Sequence, residues 1–289
     1  MQATPLLLLL TAIVCILHAT SPIVTPAYDP AFSKHAFYYT LAAFCPADSL
    51  EQWDCPSCVL ASPSFMLAGT VSSNISGAYG YVGYSPTHHE IVVGFEGSHD
   101  IRNWIENLKF FHERYEAIPD AFVEKGFFDY WMTVKTAIID LVSPLVKQYS
   151  TASIIFTGHS LGAAATVLGA VDLSIEGIIP PESVQLISYG TPRVGNEAFV
   201  QWADAHLASW RVIHDHDIVP GLPPTIVGYS HTSNAAVYNA DFTEFVACTS
   251  LSDKACEIEH DKPSQHTCYF RFTTTECGWN SNHTAPMGC

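Results

Sequence analysis

Residues 158–162 read Gly-His-Ser-Leu-Gly, and they join two segments of opposite character. Before them, Ser153 to Thr157 is a short β-branched and aromatic run, the composition of a buried strand. After them, Leu161 to Leu173 is small and apolar, the composition of a helix packed closely on a sheet. A G-x-S-x-G turn between a strand and a helix is sterically demanding. The two flanking positions cannot carry side chains without a clash, and the Ser backbone is strained so that Oγ rises clear of the sheet. The helix N-terminus brings backbone N–H groups and the positive end of its dipole to the same spot. The bare pattern also occurs by chance in loops; the strand and helix on either side give it weight. Ser160 is therefore the candidate nucleophile.

The flanking sequence extends this unit into an α/β architecture. Phe32 to Phe44 predicts an N-terminal helix. Tyr79 to Tyr84 and Glu90 to Phe95 predict strands separated by a Ser-Pro-Thr-His-His turn. Phe122 to Gln148 has helical spacing with a kink at Pro144. Val184 to Tyr189, Glu197 to Leu207 and Trp210 to His214 read as strand, helix and strand. Strands alternating with helices predict a mostly parallel central sheet flanked by helices. No repeat, low-complexity tract or long linker interrupts the 289 residues, so residues 21–289 are read as a single domain.

Charge and cysteine usage bound the setting. A formal net charge of −16 argues against a nucleic-acid partner and against electrostatic attachment to an anionic membrane, while leaving a neutral lipid interface open. The apolar run Leu6 to Leu17 is short for a bilayer span and suits a signal peptide over residues 1–20, although no Lys or Arg precedes it. The expectation is a secreted, extracellular protein with no stable transmembrane anchor. Without Cys15, eight cysteines remain, an even number that fits a disulfide-stabilised exported chain. Cys55-Pro56-Ser57-Cys58 lacks a second C-x-x-C and reads as a short structural bridge rather than a redox or zinc motif. Asn74 and Asn282 begin glycosylation sequons.

A nucleophile elbow needs an acid and then a histidine later in the chain. Asp217 and Asp215 both follow the strand Trp210–His214, and spacing alone does not separate them. Joint metal binding by His214, Asp215, His216 and Asp217 is disfavoured, because alternate residues of an extended segment point to opposite faces; no metal and no cofactor are expected. Beyond Asp217 the candidate bases are His231, His260, His266 and His283.

Several separated segments together resemble the secreted fungal class 3 lipases, which are α/β hydrolases. They are Phe95-Glu96-Gly97-Ser98, Ile101-Arg102-Asn103-Trp104, Gly158 to Gly162, Tyr189 to Asn196, Asp217-Ile218-Val219-Pro220 with Leu222-Pro223-Pro224, and His266 to Phe270. The resemblance runs from about Phe32 to Cys277. It implies Asp217 as the acid and His266 as the base. It implies Ser98 and Leu161 as the oxyanion-hole residues and a mobile lid over Ser160 from about His99 to Leu108. Ile101, Trp104, Ile105 and Leu108 independently fall on one helical face. It further implies Phe127, Val219 and Leu222 beside an acyl groove, and the disulfides Cys45–Cys277, Cys55–Cys58 and Cys248–Cys256. Cys268 and Cys289 are then left to pair, where the C-terminus departs from the family pattern. A second departure is Glu96, where the family usually has Arg.

The function implied is serine ester hydrolysis of a lipid at an oil–water interface, with a triacylglycerol as the first expectation. Phospholipase A1, galactolipase or feruloyl esterase activity on the same scaffold is the alternative, since fold does not decide among esters. A catalytically silent lipid-binding protein is disfavoured by the presence of all the catalytic residue types.

Overall fold

The computed structural model describes residues 25–274 together with Cys277, Trp279 and Cys289, the side chains of Arg102, Trp104 and Asn107 excepted. Residues 1–20, expected to be a signal peptide, and Asn282 and His283 lie outside the described residues.

Eight strands among the described residues form one sheet in chain order. They are β1 (Met66–Ser72), β2 (Tyr79–Ser85), β3 (Glu90–Phe95), β4 (Ser153–His159), β5 (Val184–Tyr189), β6 (Ala208–His214), β7 (Ala235–Tyr238) and β8 (Phe245–Cys248). The pairings from β3 through β7 are parallel, and β1, β2 and β8 add antiparallel edges.

The principal helices are α1 (Pro30–Ala42), α2 (Ile101–Asn107), α3 (Lys125–Met132), α4 (Lys135–Gln148), α5 (Leu161–Ile175) and α6 (Glu197–His206). Parallel strands added in one direction by right-handed crossovers place their helices on one face of the sheet. Phe127, Ile138, Leu168 and Phe199, from α3 to α6, accordingly share one core with Val93, Phe156 and Leu186. The other face, with Val92, Ile155, Ile187 and Val212, is covered by α1 through Phe37 and Leu41 and by the C-terminal Tyr269 and Cys277. Each large apolar side chain buried this way contributes roughly 1.5–3 kcal/mol.

Most predicted elements appear with shifts of a few residues at their ends. Helix α1 starts earlier than expected because Asp29 caps it, accepting from the Ala31 and Phe32 N–H groups, with Pro30 in the first turn. The segment 122–148 departs more. Phe122–Glu124 is a short strand, and Glu124 caps α3 by accepting from the Phe127 N–H at 2.9 Å. The helix then breaks at Thr133–Val134, where the Thr133 hydroxyl turns back to the Tyr130 carbonyl, and α4 runs through Pro144. Strand β1 and the hairpin β7–β8 are additional to the predicted elements.

Four disulfides join Cys45 to Cys277, Cys55 to Cys58, Cys248 to Cys256 and Cys268 to Cys289. Asn74 is exposed in the turn after β1. No helix of the described residues is long and apolar enough to cross a membrane.

Candidate active site

Strand β4 ends at His159 and α5 begins at Leu161, so Ser160 is the whole of the connection. Its φ of 59° and ψ of −124° place it in a region that ordinary L-residues avoid. The two glycines make the turn possible. A Cβ on Gly158 would fall 2.6 Å from the Gly162 backbone, and one on Gly162 would fall 2.6 Å from the carbonyl oxygens of Phe95 and Glu96. The Ser160 N–H donates to the Tyr189 carbonyl at 3.0 Å, which pins the elbow to β5.

The segment after β3 runs beside this turn, because Phe95 pairs in parallel with Gly158. Gly97 lies against the His159 carbonyl and the Ser160 Cβ. Ser98 follows it and is half-buried, and Leu161 opens α5. Ser98 and Leu161 thus each adjoin in sequence one of the two residues in contact here, Gly97 and Ser160.

Asp217 is fully buried beyond the end of β6, its N–H donating to the His214 carbonyl at 2.9 Å. His266 Nδ1 lies 2.9 Å from both carboxylate oxygens. The Val219 N–H donates to Oδ1 at 2.9 Å, and the Tyr269 hydroxyl donates to Oδ2. Burial alone would raise the Asp217 pKa, but the His266 imidazole and these hydrogen bonds outweigh it and hold the carboxyl below its usual range. Asp217 is thus charged, and His266 presents Nδ1–H to it. Gly190, at φ 56°, closes the site: a Cβ there would fall 2.9 Å from Asp217 Oδ2 and from His266 Nδ1.

Ser160 Oγ and His266 Nε2 are among the seven buried side-chain polar atoms that have no hydrogen-bond partner among the described residues. His159, the residue before Ser160, ties the elbow to His266. That ring packs 4.3 Å from the His266 ring, and its Nε2–H donates to the His266 carbonyl at 2.8 Å. Burial holds His159 well below the usual imidazole pKa, so it is neutral and can serve as this fixed donor.

The structure separates the residues left open by spacing. Asp215 turns away to Lys262 Nζ and Gln265 Nε2, both at 3.1 Å. His231 contacts the Pro220 carbonyl at 2.8 Å, and His260 contacts the backbone carbonyl, not the carboxylate, of Asp217 at 2.7 Å. His214 faces the carbonyls of Gln265 and Ala240. The four residues 214–217 therefore do not converge on one point.

Helix α2 is capped by Asp100, which accepts from the Asn103 N–H at 3.1 Å. Ile101, Ile105 and Leu108 are half-buried while Asn103 and Glu106 are exposed, which agrees with the predicted apolar face; the Trp104 side chain is outside the description. Glu96, just before Gly97, forms an ion pair with His99 at 2.8 Å at the base of this helix. Burial raises the Glu96 pKa, and His99 only partly offsets the effect.

A cavity of about 500 Å³ lies beside the elbow, lined by Leu108, Phe111, Phe127, Tyr130 and Leu161 among others. Val219 and Leu222 do not line it. Val219 is buried behind the acid and uses its N–H on Asp217, and the Leu222 carbonyl is held by the Arg193 N–H at 2.7 Å. At the cavity mouth Ile75 and Phe111 are 92% and 59% exposed.

Sequence reasoning missed three contributors: Tyr269, His159 and Gly190. Tyr269 served only as a landmark near His266, and nothing local signals that its hydroxyl reaches a residue 52 positions away.

The model of a family described as lipase (class 3) matches residues 92–227. The chain is 33% identical over 185 residues to a secreted mono- and diacylglycerol lipase A of Penicillium cyclopium, covering 64% of this chain and 59% of the relative. It is 32% identical over 232 residues to a lipase of Rhizomucor miehei, covering 78% and 64%. It thus spans about three-fifths of the length of these curated relatives. Among solved structures, a Rhizomucor miehei triacylglyceride lipase superimposes with a TM-score of 0.76 at 30% identity, over 87% of this chain and 98% of the other. Lipase II from Rhizopus niveus superimposes with a TM-score of 0.79 at 26% identity, over 86% and 98%.

Proposed function

The chain belongs to the class 3 lipases and has their α/β-hydrolase fold, and within that family we propose that it is a secreted serine ester hydrolase acting on acylglycerols. One observation carries the reading. A buried His266, oriented by a charged Asp217, keeps its second nitrogen unpartnered beside an elbow serine whose hydroxyl is also unpartnered.

The chemistry follows from that geometry. His266 Nε2 takes the proton of Ser160 as Oγ bonds to the ester carbonyl carbon. The oxygen that gains charge is met by the N–H groups of Ser98 and Leu161. Collapse breaks the ester C–O bond, and His266 returns the proton to the leaving alcohol. Water then repeats the sequence on the acyl-enzyme and releases a fatty acid. Asp217 stays ionised throughout and stabilises the imidazolium.

The lipid preference is supported by the apolar cavity and by the exposed apolar side chains at its mouth. Ile226, 92% exposed, and Val227 extend this apolar rim, since the Val227 carbonyl meets His112 at 2.9 Å, next to Phe111. Ser160 is fully buried, which fits α2 acting as a closed lid. The Penicillium cyclopium relative is a secreted lipase, which fits residues 1–20 as a leader and 21–289 as the mature domain.

The test is a substrate panel with purified protein and its Ser160→Ala variant: an emulsified long-chain triglyceride, a diglyceride, a soluble short-chain ester and a phosphatidylcholine. The expected result is hydrolysis of the glycerides, a rate that rises once substrate exceeds its solubility, and no turnover by the variant. Turnover by Ser160→Ala, or hydrolysis confined to phosphatidylcholine, would overturn the proposal.

A further inference from the structure

Strand β6 has a second face that the proposed reaction does not use. Trp210 and Val212 pack toward α1, so Arg211 and Ile213 point to the opposite side. Here a C-terminal loop covers the sheet, anchored by Cys248–Cys256. Beneath it is a cavity of about 170 Å³ lined by Arg193, Arg211, His231, Ser233, Ser250 and His260, with the exposed Asp253 and Glu257 in its outer wall.

Arg211 is 6% exposed. Its Nε donates to the Thr232 carbonyl at 3.1 Å, and its two terminal nitrogens meet no acceptor among the described residues. Arg193 spends one nitrogen on the Gly221 and Pro223 carbonyls, at 2.6 and 2.8 Å. Neither guanidinium forms an ion pair with a carboxylate among the described residues. Asp204, the nearby acid, is committed to the Ser233 N–H and hydroxyl. Buried charges in proteins are paired or bind ions, and a guanidinium fork matches an oxyanion. Burial, and then repulsion from Arg193, bring the Arg211 pKa down to about 9, and the attraction of Asp204 only partly offsets them.

We propose that this cavity is an anion site that takes a small tetrahedral oxyanion, phosphate or sulfate, between Arg193 and Arg211. At ~30 Å³ per water molecule the space holds such an ion with a few waters. The acidic outer wall and the small volume exclude a polyanion. The bound ion links the covering loop to the acid of the active site, because His260 contacts the Asp217 carbonyl and Arg193 holds the backbone of Gly221 to Pro223.

Calorimetric titration of the full chain with sodium phosphate and with sodium sulfate, against sodium chloride at matched ionic strength, tests this. A saturable signal with one or both oxyanions and none with chloride is expected. Phosphate and sulfate also stabilise proteins non-specifically by exclusion from their surfaces, which gives no saturation. Arg211→Gln should weaken binding at least about tenfold, the scale of a lost charge-assisted hydrogen bond. Because that variant removes a buried group and can lose its fold, Glu257→Gln serves as the second arm. It is exposed and should tighten binding by about two- to threefold by removing a like charge from the wall. No saturable oxyanion signal in the wild type, undiminished binding by a folded Arg211→Gln, or no change in Glu257→Gln would each overturn the site.

Discussion

The His159 ring donates its Nε2–H to the backbone carbonyl of His266, 107 residues further along the chain, and packs against the His266 ring at 4.3 Å, tilted by 31°. The residue next to the proposed nucleophile thereby sets the position of the proposed base. His159→Leu removes that donor and leaves the carbonyl buried without a partner, at a cost of about 1–3 kcal/mol. The expected outcome is a melting temperature lowered by several degrees and a kcat reduced about tenfold or more, with KM nearly unchanged. Steady-state kinetics on a soluble ester check it; a loss confined to KM would mean that His159 does not position His266.

Asp217 and Asp215 are two residues apart, yet only one meets His266. Asp217→Asn should lower kcat by about 10⁴, the scale seen when the orienting acid of a triad is neutralised. Asp215→Asn should change it by less than about threefold, since its partners Lys262 and Gln265 are polar and largely outside the site. Equal losses in the two variants would contradict the assignment of the acid.

His231 is buried, and burial followed by the neighbouring Arg211 and Arg193 charges holds its pKa well below the ordinary value. The unfolded chain protonates this residue near pH 6.5, while the folded chain does not. The unfolded state therefore binds more protons as pH falls below about 6.5. The stability contributed is fully present above that pH and declines on acidification at about 1.4 kcal/mol per pH unit until the folded pKa is reached. His231→Gln should flatten the loss of stability between pH 7 and pH 5 relative to wild type. Glu96 and Glu124, whose pKa values burial raises, act in the opposite sense, so the difference between the two proteins is the quantity to measure. Parallel unfolding curves for the two at both pH values would refute the prediction.

Glu96 pairs with His99 at the foot of α2, where the family usually carries Arg. Glu96→Gln removes the ion pair and leaves the backbone bonds of Glu96 to Tyr79 and Tyr130 in place. A looser α2 should raise activity toward ester in true solution and lower the ratio of interfacial to soluble rates by about two- to fivefold, consistent with a partly exposed pair worth about 1 kcal/mol. Rates measured below and above the solubility limit decide it; an unchanged ratio would show that this pair does not fasten the helix.

The elements around the elbow were legible because their physics is local. Strand β4, the Gly-x-Ser-x-Gly turn and helix α5 each carry their own pattern of β-branched, glycine and small residues. Segment 122–148 was misread because helical spacing in Phe127, Tyr130 and Trp131 continues past a break that Thr133 makes by capping α3. The site was legible only in part. Asp217 and Asp215 are equivalent in sequence spacing, and the choice depends on which one Tyr269 and His266 reach after the chain has folded. The resemblance implied Val219 as groove lining; its N–H, invisible in a side-chain pattern, donates to Asp217 instead.

The sheet receives helices α3 to α6 on one face, while on the other Phe37 of α1 packs against Tyr269, Phe270 and Phe272. The proposed base rides on the later of these segments. The elbow and the proposed acid both precede residue 260 in the chain, while the proposed base follows it. The proposed reaction therefore depends on the seating of that C-terminal segment: a chain clipped before His266 would keep its elbow and lack its proposed base.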